Sequence, residues 1–263
     1  MSSLDGRIAL ITGASFGIGE ATARRLVREG ARVICAARSE ARLQELCEEL
    51  NTAAQRNAAR PLVLDVADPI SISKALASLP PDWAEIDILV NNAGLAKGLG
   101  PVHENTVDQI DATVDVNVKG VLYMIREVVP GMLERGRGHV VNLGSIAGHA
   151  VYAGGTVYCA TKFALRAITD GLKIDLHGTP VRVSAVSPGL VETDFSRVRF
   201  DGDEERARKV YADTNPLTAE DVADAIAYAV CAPEHVNIRE IVMTPRVQSS
   251  VTHLVRGEAA QDL

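Results

Sequence analysis

The sequence lacks the features that would cross-link the chain or hold a metal. Its 263 residues include four cysteines, and no two of them form a Cys-x-x-Cys pair. The four are scattered along the chain at Cys35, Cys47, Cys159 and Cys231. This scatter argues against a zinc site or a redox pair and favours reduced core cysteines in a cytoplasmic protein.

Long apolar runs and an excess of basic charge are also lacking. No uncharged apolar run approaches the roughly 18–20 residues that cross a membrane. Residues 1–6 show neither the basic nor the apolar region of a signal peptide. The net charge of -7 argues against broad binding to nucleic acid or to anionic membranes. We therefore predict a cytoplasmic protein that binds no metal, nucleic acid or membrane.

Apolar, β-branched runs alternate with amphipathic stretches along the chain. The runs predict seven strands, at residues 8–11, 33–36, 62–64, 86–90, 139–143, 181–186 and 238–243. The amphipathic stretches predict helices at residues 17–29, 40–50, 70–79, 107–135, 157–176 and 219–229. Strict alternation implies right-handed crossovers, and near-continuous apolar strands are typical of burial on both faces. We predict an α/β fold in which residues 1–263 form one Rossmann-type domain. Its doubly wound sheet has seven parallel strands, with helices on both faces.

The first predicted strand runs directly into a glycine-rich turn, and a helix follows. Such a turn lets the backbone approach a pyrophosphate, and the free N–H groups at the helix start attract its charge. The candidate cofactor contacts in this turn are Gly13, Ser15, Phe16, Gly17, Ile18 and Gly19. The spacing is Gly-x3-Gly-x-Gly rather than Gly-x-Gly-x2-Gly, so a merely tight connection stays open as an alternative.

The second predicted strand is followed by Arg38 and Ser39, without the acidic residue that binds the ribose hydroxyls in NAD-selective sites. The guanidinium of an arginine can donate two hydrogen bonds to one phosphate, which suits the 2′-phosphate of NADP. The alternative is a solvated Arg38, with Ser39 capping the next helix.

The third and fourth predicted strands also end in polar residues at the ligand-binding edge of such a sheet. Asp65, which precedes Val66, could accept a hydrogen bond from an adenine amino group or cap the next helix. The fourth strand ends in an Asn-Asn-Ala-Gly turn, which could bind a ligand or serve a structural role alone. The candidates in this turn are Asn92, Ala93 and Gly94.

Tyr158 and Lys162 occupy positions i and i+4 of a predicted helix and therefore share one face. An ammonium about 4 Å from a phenol lowers its pKa by up to about three units, which suits proton transfer during hydride movement. Ser145, just past a strand, could hydrogen-bond the substrate oxygen that Tyr158 protonates. The side chain of Asn117 could hold a water that relays protons from Lys162. Each also has an ordinary alternative: a surface Tyr-x3-Lys pair, a loop serine or a surface asparagine.

Taken together and in this order, these residues resemble the short-chain dehydrogenase/reductase family over essentially the whole chain. The resemblance is carried by the 12–19 loop, the 91–94 turn, Asn117, Ser145, the Tyr158/Lys162 pair and Pro188-Gly189. It implies a catalytic tetrad of Asn117, Ser145, Tyr158 and Lys162, with Lys162 also bonding the nicotinamide ribose. It implies further cofactor contacts from Pro188, Gly189, Val191 and Thr193. A nucleotide-sensing protein that keeps only the fold commonly loses the tyrosine or lysine, and both are present here.

The chain is more closely similar to NADP-dependent 3-hydroxy acid dehydrogenases, which include serine dehydrogenases and sulfoacetaldehyde reductases. The similar stretches are residues 86–95, 131–148, 152–162, 175–183 and 195–203. This similarity implies hydride transfer between NADP(H) and a small 3-hydroxy acid or its semialdehyde, in a homotetramer. A reductase of a bulkier ketone is the alternative.

Residues 189–215 break the alternation and are predicted to form a substrate lid, because they follow the carboxyl end of a strand. Arg197 and Arg199 of this lid could each donate two hydrogen bonds to a carboxylate or sulfonate of the substrate. Arg246 is a weaker candidate for the same role. Tyr152 should border the same pocket. Alternatively, the arginines are solvated or pair with nearby acids, namely Asp201, Asp203, Glu204 and Glu205. The tail, residues 248–263, is predicted to reach a neighbouring subunit or to be mobile.

Overall fold

Seven parallel strands form one sheet in the computed structural model of the protein, which describes residues 4–200 and 202–261. The strands are β1 Ile8–Thr12, β2 Arg32–Ala37, β3 Ala59–Val63, β4 Ile88–Asn91, β5 Gly138–Leu143, β6 Val181–Pro188 and β7 Glu240–Met243. Their spatial order is β3-β2-β1-β4-β5-β6-β7, and every neighbouring pair is parallel. The order reverses between β1 and β4, where such sheets open a ligand crevice. The predicted doubly wound α/β fold is confirmed.

Helices connect the strands and cover both faces of the sheet. They are α1 Gly17–Arg28, α2 Glu40–Ala54, α3 Pro69–Ala77, α4 Val107–Val114, α5 Val121–Glu134, α6 Thr156–Asp175, α7 Phe195–Arg199, α8 Glu204–Tyr211, α9 Ala219–Cys231 and α10 Glu258–Gln261. Because side chains alternate along a strand, Ile11 and Val33 pack in the layer that contains α1, α2 and α9. Leu10 and Ile34 pack in the opposite layer, which contains Met124 of α5.

The helix predicted over residues 107–135 is interrupted. A π-helical turn at Asp115–Gly120 separates α4 from α5, and such turns occur frequently at functional sites. A Cβ atom at Gly120 would lie 3.0 Å from the backbone oxygen of Val66, so the two backbones approach closely there. Smaller corrections concern four strands. β3 spans Ala59–Val63 instead of 62–64, and β4 spans Ile88–Asn91 instead of 86–90. β6 ends at Pro188 instead of 186, and β7 begins at Glu240 instead of 238.

The lid and the tail are more ordered than their sequence pattern indicates. Two short helices, α7 and α8, lie within the predicted lid. The tail folds back on the lid of its own chain, where the Gly257 N–H donates to the oxygen of Asp213 over 2.9 Å. Several residues named in the sequence analysis lie outside the described residues. They are residues 1–3 of the 1–6 segment, Asp201 of the lid, and residues 262 and 263 of the tail. Within the described ranges, every helix is too short or too polar to span a bilayer.

Candidate active site

A cavity of about 500 Å³ opens at the carboxyl edge of the sheet, lined by the ends of the strands and by the lid. It brings together most of the residues predicted from the sequence: Gly13, Ser15, Phe16, Gly17, Ile18, Arg38, Ser39, Asp65, Val66, Asn92, Ala93, Gly94, Ser145, Tyr152, Tyr158, Lys162, Pro188, Gly189, Val191, Thr193 and Arg199. Four predicted residues do not line the cavity, namely Gly19, Asn117, Arg197 and the weaker candidate Arg246. The described residues hold no cluster of three metal-ligating side chains.

The glycine-rich turn between β1 and α1 is built for close backbone contact. Gly13 has a φ of +66°, and a Cβ there would lie 2.9 Å from the Cα of Ala93. A Cβ on Gly19 would lie 2.3 Å from the Gly13 oxygen, so Gly19 closes the turn rather than facing the cavity. Phe16 occupies the N-cap position of α1 without a side-chain cap. The first N–H groups of α1 therefore have no protein side chain as partner and are available to a ligand.

The amide of Asn92 holds this turn instead of facing a ligand. Its Nδ2 donates to the oxygens of Thr12 (2.8 Å) and Gly13 (3.2 Å). The hydroxyl of Thr12 in turn accepts from the N–H groups of Asn92 (3.1 Å) and Ala93 (3.0 Å). Sequence reasoning missed Thr12 in this role, although its position between the strand and the first glycine is a usable signal. The side chain of Asn92 therefore has the structural role that the sequence offered as an alternative for the 91–94 turn.

Arg38 and Asp65 lie at the rim of the cavity. The Arg38 side chain is 74% exposed, and its Nη1 lies 3.9 Å from Oδ2 of Asp65. Ser39 stands at the N-cap of α2, but its hydroxyl makes no cap bond. Oδ1 of Asp65 accepts from the Ala67 N–H, and α3 is capped by Asp68 instead. The alternative in which Asp65 caps this helix is therefore wrong.

Tyr158 and Lys162 lie on α6, facing the loop after β5. The Lys162 ammonium is 5.8 Å from the Tyr158 ring centre and donates to the oxygen of Leu143 over 2.7 Å. The Ser145 hydroxyl acts on the phenol of Tyr158 and lowers its pKa, by less than burial raises it. The same hydroxyl accepts from the Ala147 N–H (3.1 Å), which fixes its orientation. The structure thus places Ser145, Tyr158 and Lys162 together at the cavity wall.

Burial is the main cause of the pKa shifts of both Tyr158 and Lys162. Burial raises the pKa of Tyr158 above its ordinary 10, and the contributions of Ser145 and Arg199 lower it by less. Burial also lowers the pKa of Lys162 to about 8. The sequence-based expectation that Lys162 lowers the phenol pKa is not met here, because Lys162 is not among the groups that shift the pKa of Tyr158 and burial disfavours both charged forms.

Asn117 lies in the π-helical turn, and 2% of it is exposed. Its Oδ1 accepts from the Leu95 N–H (2.8 Å), and its Nδ2 donates to the Leu95 oxygen (2.7 Å) and to Thr161 Oγ1 (3.0 Å). The surface alternative is therefore wrong. The water relay through this side chain stays a prediction. The bonds that the structure shows tie the chain after β4 to the residue before Lys162.

The two lid arginines differ in position. Arg199 lies over the rings of Tyr152 and Tyr158, at 5.5 and 5.9 Å from their centres, and two of its buried nitrogens have no partner. Arg197 points away, 45% exposed, and pairs with Asp194 over 3.2 Å. Arg246 is exposed outside the cavity lining. Residues that sequence reasoning missed complete the lining beside Arg199: Phe195, Val198, Val210, Tyr211, Gln248 and Val251.

Comparisons with known proteins agree with this arrangement. The NADP-dependent 3-hydroxy acid dehydrogenase of Salmonella typhi is 48% identical over 246 residues, covering 92% of this chain and 96% of that protein. The serine 3-dehydrogenase of Rhizobium radiobacter is 42% identical, covering 91% and 94%. The closed form of serine dehydrogenase complexed with NADP+ superposes with a TM-score of 0.89 at 46% identity, covering 95% of this chain and 100% of that chain. The short chain dehydrogenase family matches residues 7–204, and this chain belongs to that family.

Proposed function

We propose that this chain is an NADP(H)-dependent dehydrogenase that moves a hydride between the cofactor and C3 of a small 3-hydroxy acid or its semialdehyde. The relatives described above carry the names of NADP-dependent 3-hydroxy acid and serine dehydrogenases. The observation that carries the substrate class is the half-buried guanidinium of Arg199 at the cavity wall beside Tyr158, whose Nε and Nη2 are buried without a partner. Leaving buried N–H groups of a cation unpaired is costly, and a carboxylate or sulfonate would complete their bonds.

The residues present fit NADP(H), which supplies the hydride acceptor or donor. The bare glycine turn and the uncapped start of α1 suit the pyrophosphate. We assign Arg38 and Ser39 to the 2′-phosphate, Asp65 and Val66 to the adenine side, and Lys162 to the nicotinamide ribose. The assignments at the nicotinamide end are Asn92, Ala93, Gly94, Pro188, Gly189, Val191 and Thr193, with Asn92 contributing only its backbone.

Tyr158 is proposed to transfer the proton at the substrate oxygen, and Ser145 to hold that oxygen by a hydrogen bond. Because burial raises its pKa, Tyr158 is a neutral phenol before the reaction. The neutral phenol is the form that donates a proton when a carbonyl is reduced. Lys162, with a pKa of about 8, can exchange protons near neutral pH. Asn117 acts as a positioning residue, since it joins the Leu95 backbone to Thr161 beside Lys162.

A comparison of acids with their esters tests the substrate class. The unmodified enzyme should oxidise serine or 3-hydroxypropionate with NADP+ far better than their methyl esters. Arg199→Gln should raise KM for the free acids by about ten- to a hundredfold, as expected for a lost charge-assisted bond of roughly 1.5–3 kcal/mol. Arg197→Gln is the matched control and should leave KM unchanged, because Arg197 lies outside the cavity. Equal turnover of esters and acids, or better turnover of cyclic ketones, would overturn this assignment.

We also propose a homotetramer that works in the cytoplasm. Exposed apolar side chains lie on two separate surfaces, which would give the two interfaces that dihedral symmetry requires. One surface is on α5 and α6, with Leu122, Phe163 and Ile174 at 45%, 41% and 74% exposure. The other is on α9 and the edge strand β7, with Tyr228 and Val242. The scatter of the four cysteines along the sequence suits a reducing compartment.

A further inference from the structure

A network of polar side chains joins the edge strand β7 to the loop that carries Ser145. Its centre is Glu240, the first residue of β7. Oε1 of Glu240 accepts from the Ser187 hydroxyl over 2.7 Å and lies 2.8 Å from Nε2 of His149. The side chains of His149 and Glu240 are 28% and 24% exposed, so water competes only partly for these bonds. The proton transfer proposed above assigns no role to these three side chains.

The direction of each bond in this network follows from the partners. Nη1 of Arg166 on α6 lies 3.4 Å from Nδ1 of His149, and a guanidinium can only donate. Nδ1 therefore accepts, and the proton of a neutral His149 lies on Nε2, from which it is donated to Glu240. Oε1 of Glu240 thus accepts from Ser187 and from His149 at the same time.

Ser187 lies against the residue that precedes Ser145. A Cβ atom on Gly144 would lie 2.3 Å from Oγ of Ser187, so the Gly144 backbone passes directly beside this hydroxyl. The Gly144 N–H also donates to the oxygen of Val186 over 2.8 Å. The bond from Ser187 to Glu240 therefore fixes a hydroxyl on which the start of the Ser145 loop rests.

His149 holds the other end of the same loop. A single 3-10 turn, Ile146–Gly148, joins Ser145 to His149. Inside this turn the Ala147 N–H donates to the Ser145 hydroxyl over 3.1 Å. The bond between His149 and Glu240 therefore restrains the turn that orients the Ser145 hydroxyl.

Glu240 has no access to the substrate. It lines a separate cavity of about 10 Å³ behind Ser145, which has room for about one water molecule. Among the described residues, neither Glu240 nor His149 lines the large cavity at the carboxyl edge of the sheet. Glu240 is also not among the groups that shift the pKa of Tyr158. Any effect on the reaction must therefore come from the hydrogen bonds of Glu240 and not from contact with the substrate.

We propose that Glu240 is a positioning residue, which holds the hydroxyl of Ser145 at the substrate oxygen through Ser187 and His149. The inference rests on the proposed function, because it takes Ser145 as the group that hydrogen-bonds this oxygen. Such a bond strengthens as charge develops on the oxygen in the transition state. A displaced Ser145 should therefore lower kcat more than it raises KM.

The test measures kcat and KM for 3-hydroxypropionate with NADP+, NADPH affinity by fluorescence, and Tm. Glu240→Ala should lower kcat by about five- to thirtyfold, less than the roughly hundredfold loss expected for Ser145→Ala. KM and NADPH affinity should each change by less than about twofold. Glu240→Gln keeps an acceptor oxygen and should recover most of kcat. Asp170→Ala is the matched control and should behave as the unmodified enzyme, because it removes a carboxylate that pairs over 2.9 Å with Arg239, the residue before Glu240.

A double-variant cycle decides whether Glu240 acts through Ser145. In the Ser145→Ala background, Glu240→Ala should leave kcat unchanged, because no hydroxyl remains to be positioned. His149→Ala breaks one of the two links and should lower kcat as well, and it carries the test if Glu240→Ala does not fold.

Three results would overturn the inference: an unchanged kcat in folded Glu240→Ala or His149→Ala, a loss of NADPH affinity as large as the loss of kcat, or losses that multiply in the Ser145→Ala background. If Ser145→Ala itself keeps a near-normal kcat, the proposed role of Ser145 fails instead. The two failures are therefore distinguishable.

Discussion

Mild acid should weaken this protein through one buried histidine. His139 on β5 is 1% exposed, and its Nε2 lies 2.8 Å from Oγ of Ser184. The serine hydroxyl donates to the oxygen of Ile238, so it accepts the Nε2 proton of the histidine. The other ring nitrogen, Nδ1, is buried without a partner and would carry an unpaired N–H if protonated. Burial accordingly lowers the pKa of His139 to about 3, helped by the charges of Arg182 and Lys173.

The sign and size of the effect follow from the two pKa values. Between the unfolded value of 6.5 and the folded value of about 3, the unfolded chain binds one more proton than the folded chain. The stability contributed by the neutral ring is complete above pH 6.5 and is lost as the pH falls toward 3. Linkage gives a loss of about 2 kcal/mol between pH 7.5 and pH 5, and about 5 kcal/mol once the pH is below 3.

Urea unfolding at pH 7.5 and pH 5, at one fixed protein concentration, measures this loss. The unmodified chain should lose about 2 kcal/mol more than His139→Gln, in which the amide can still donate to Ser184 but cannot titrate. His177→Gln, which replaces an exposed histidine after α6, should lose as much as the unmodified chain. The reasoning is refuted if His139→Gln and the unmodified chain lose the same free energy on acidification.

Three predictions concern the active site and the assembly. Tyr158→Phe should lower turnover by at least about 10²-fold while NADPH binding persists, and near-normal turnover in folded protein would contradict the proposed proton transfer. Arg38→Asp should lower kcat/KM with NADP+ by about tenfold or more, whereas equal kcat/KM with both cofactors in the unmodified enzyme would refute the NADP preference. Light scattering at micromolar concentration should give the mass of a tetramer, and a monomer mass would contradict the proposed interfaces.

The sheet and the cofactor turn were predictable because strong local signals determine them. Apolar runs of the length of a strand alternated with amphipathic stretches, and the sheet has the predicted number of strands, all parallel. Gly13 and Gly17 adopt positive φ values of +66° and +59°, a demand that glycine meets readily. Strand ends were less predictable, because ladder bonds with neighbouring strands decide where pairing stops.

The π-helical turn at Asp115–Gly120 could not be predicted from the local pattern. The apolar spacing continues through it, so periodicity alone favours one long helix. The turn coincides with tertiary contacts: Asn117 bonds to the backbone of Leu95 and to Thr161, and Gly120 lies against Val66. Partners more than 20 residues away in sequence give no local signal.

The choice between Arg197 and Arg199 was likewise open from the sequence. Two residues apart on a helix, side chains diverge by about 200°, so only one of the pair can face the cavity. The sequence pattern did not predict α7, and without a helix this constraint could not be applied. The structure turns Arg199 inward beside Tyr152 and leaves Arg197 with Asp194.

In the proposed function, Arg199 connects substrate recognition to proton transfer, because it would bind the substrate anion while it lies over the ring of Tyr158. A substrate carboxylate placed near Tyr158 would raise a phenol pKa that burial already raises, which opposes oxidation. The guanidinium of Arg199 lowers the pKa of Tyr158, so it offsets the charge that it also binds. A neutral polar residue at this position could still hydrogen-bond an acid, but it would not offset that charge. These two roles are a physical reason for a half-buried arginine at this position, beside lining residues that are mostly aromatic and aliphatic, namely Tyr152, Phe195, Val198, Val210 and Tyr211.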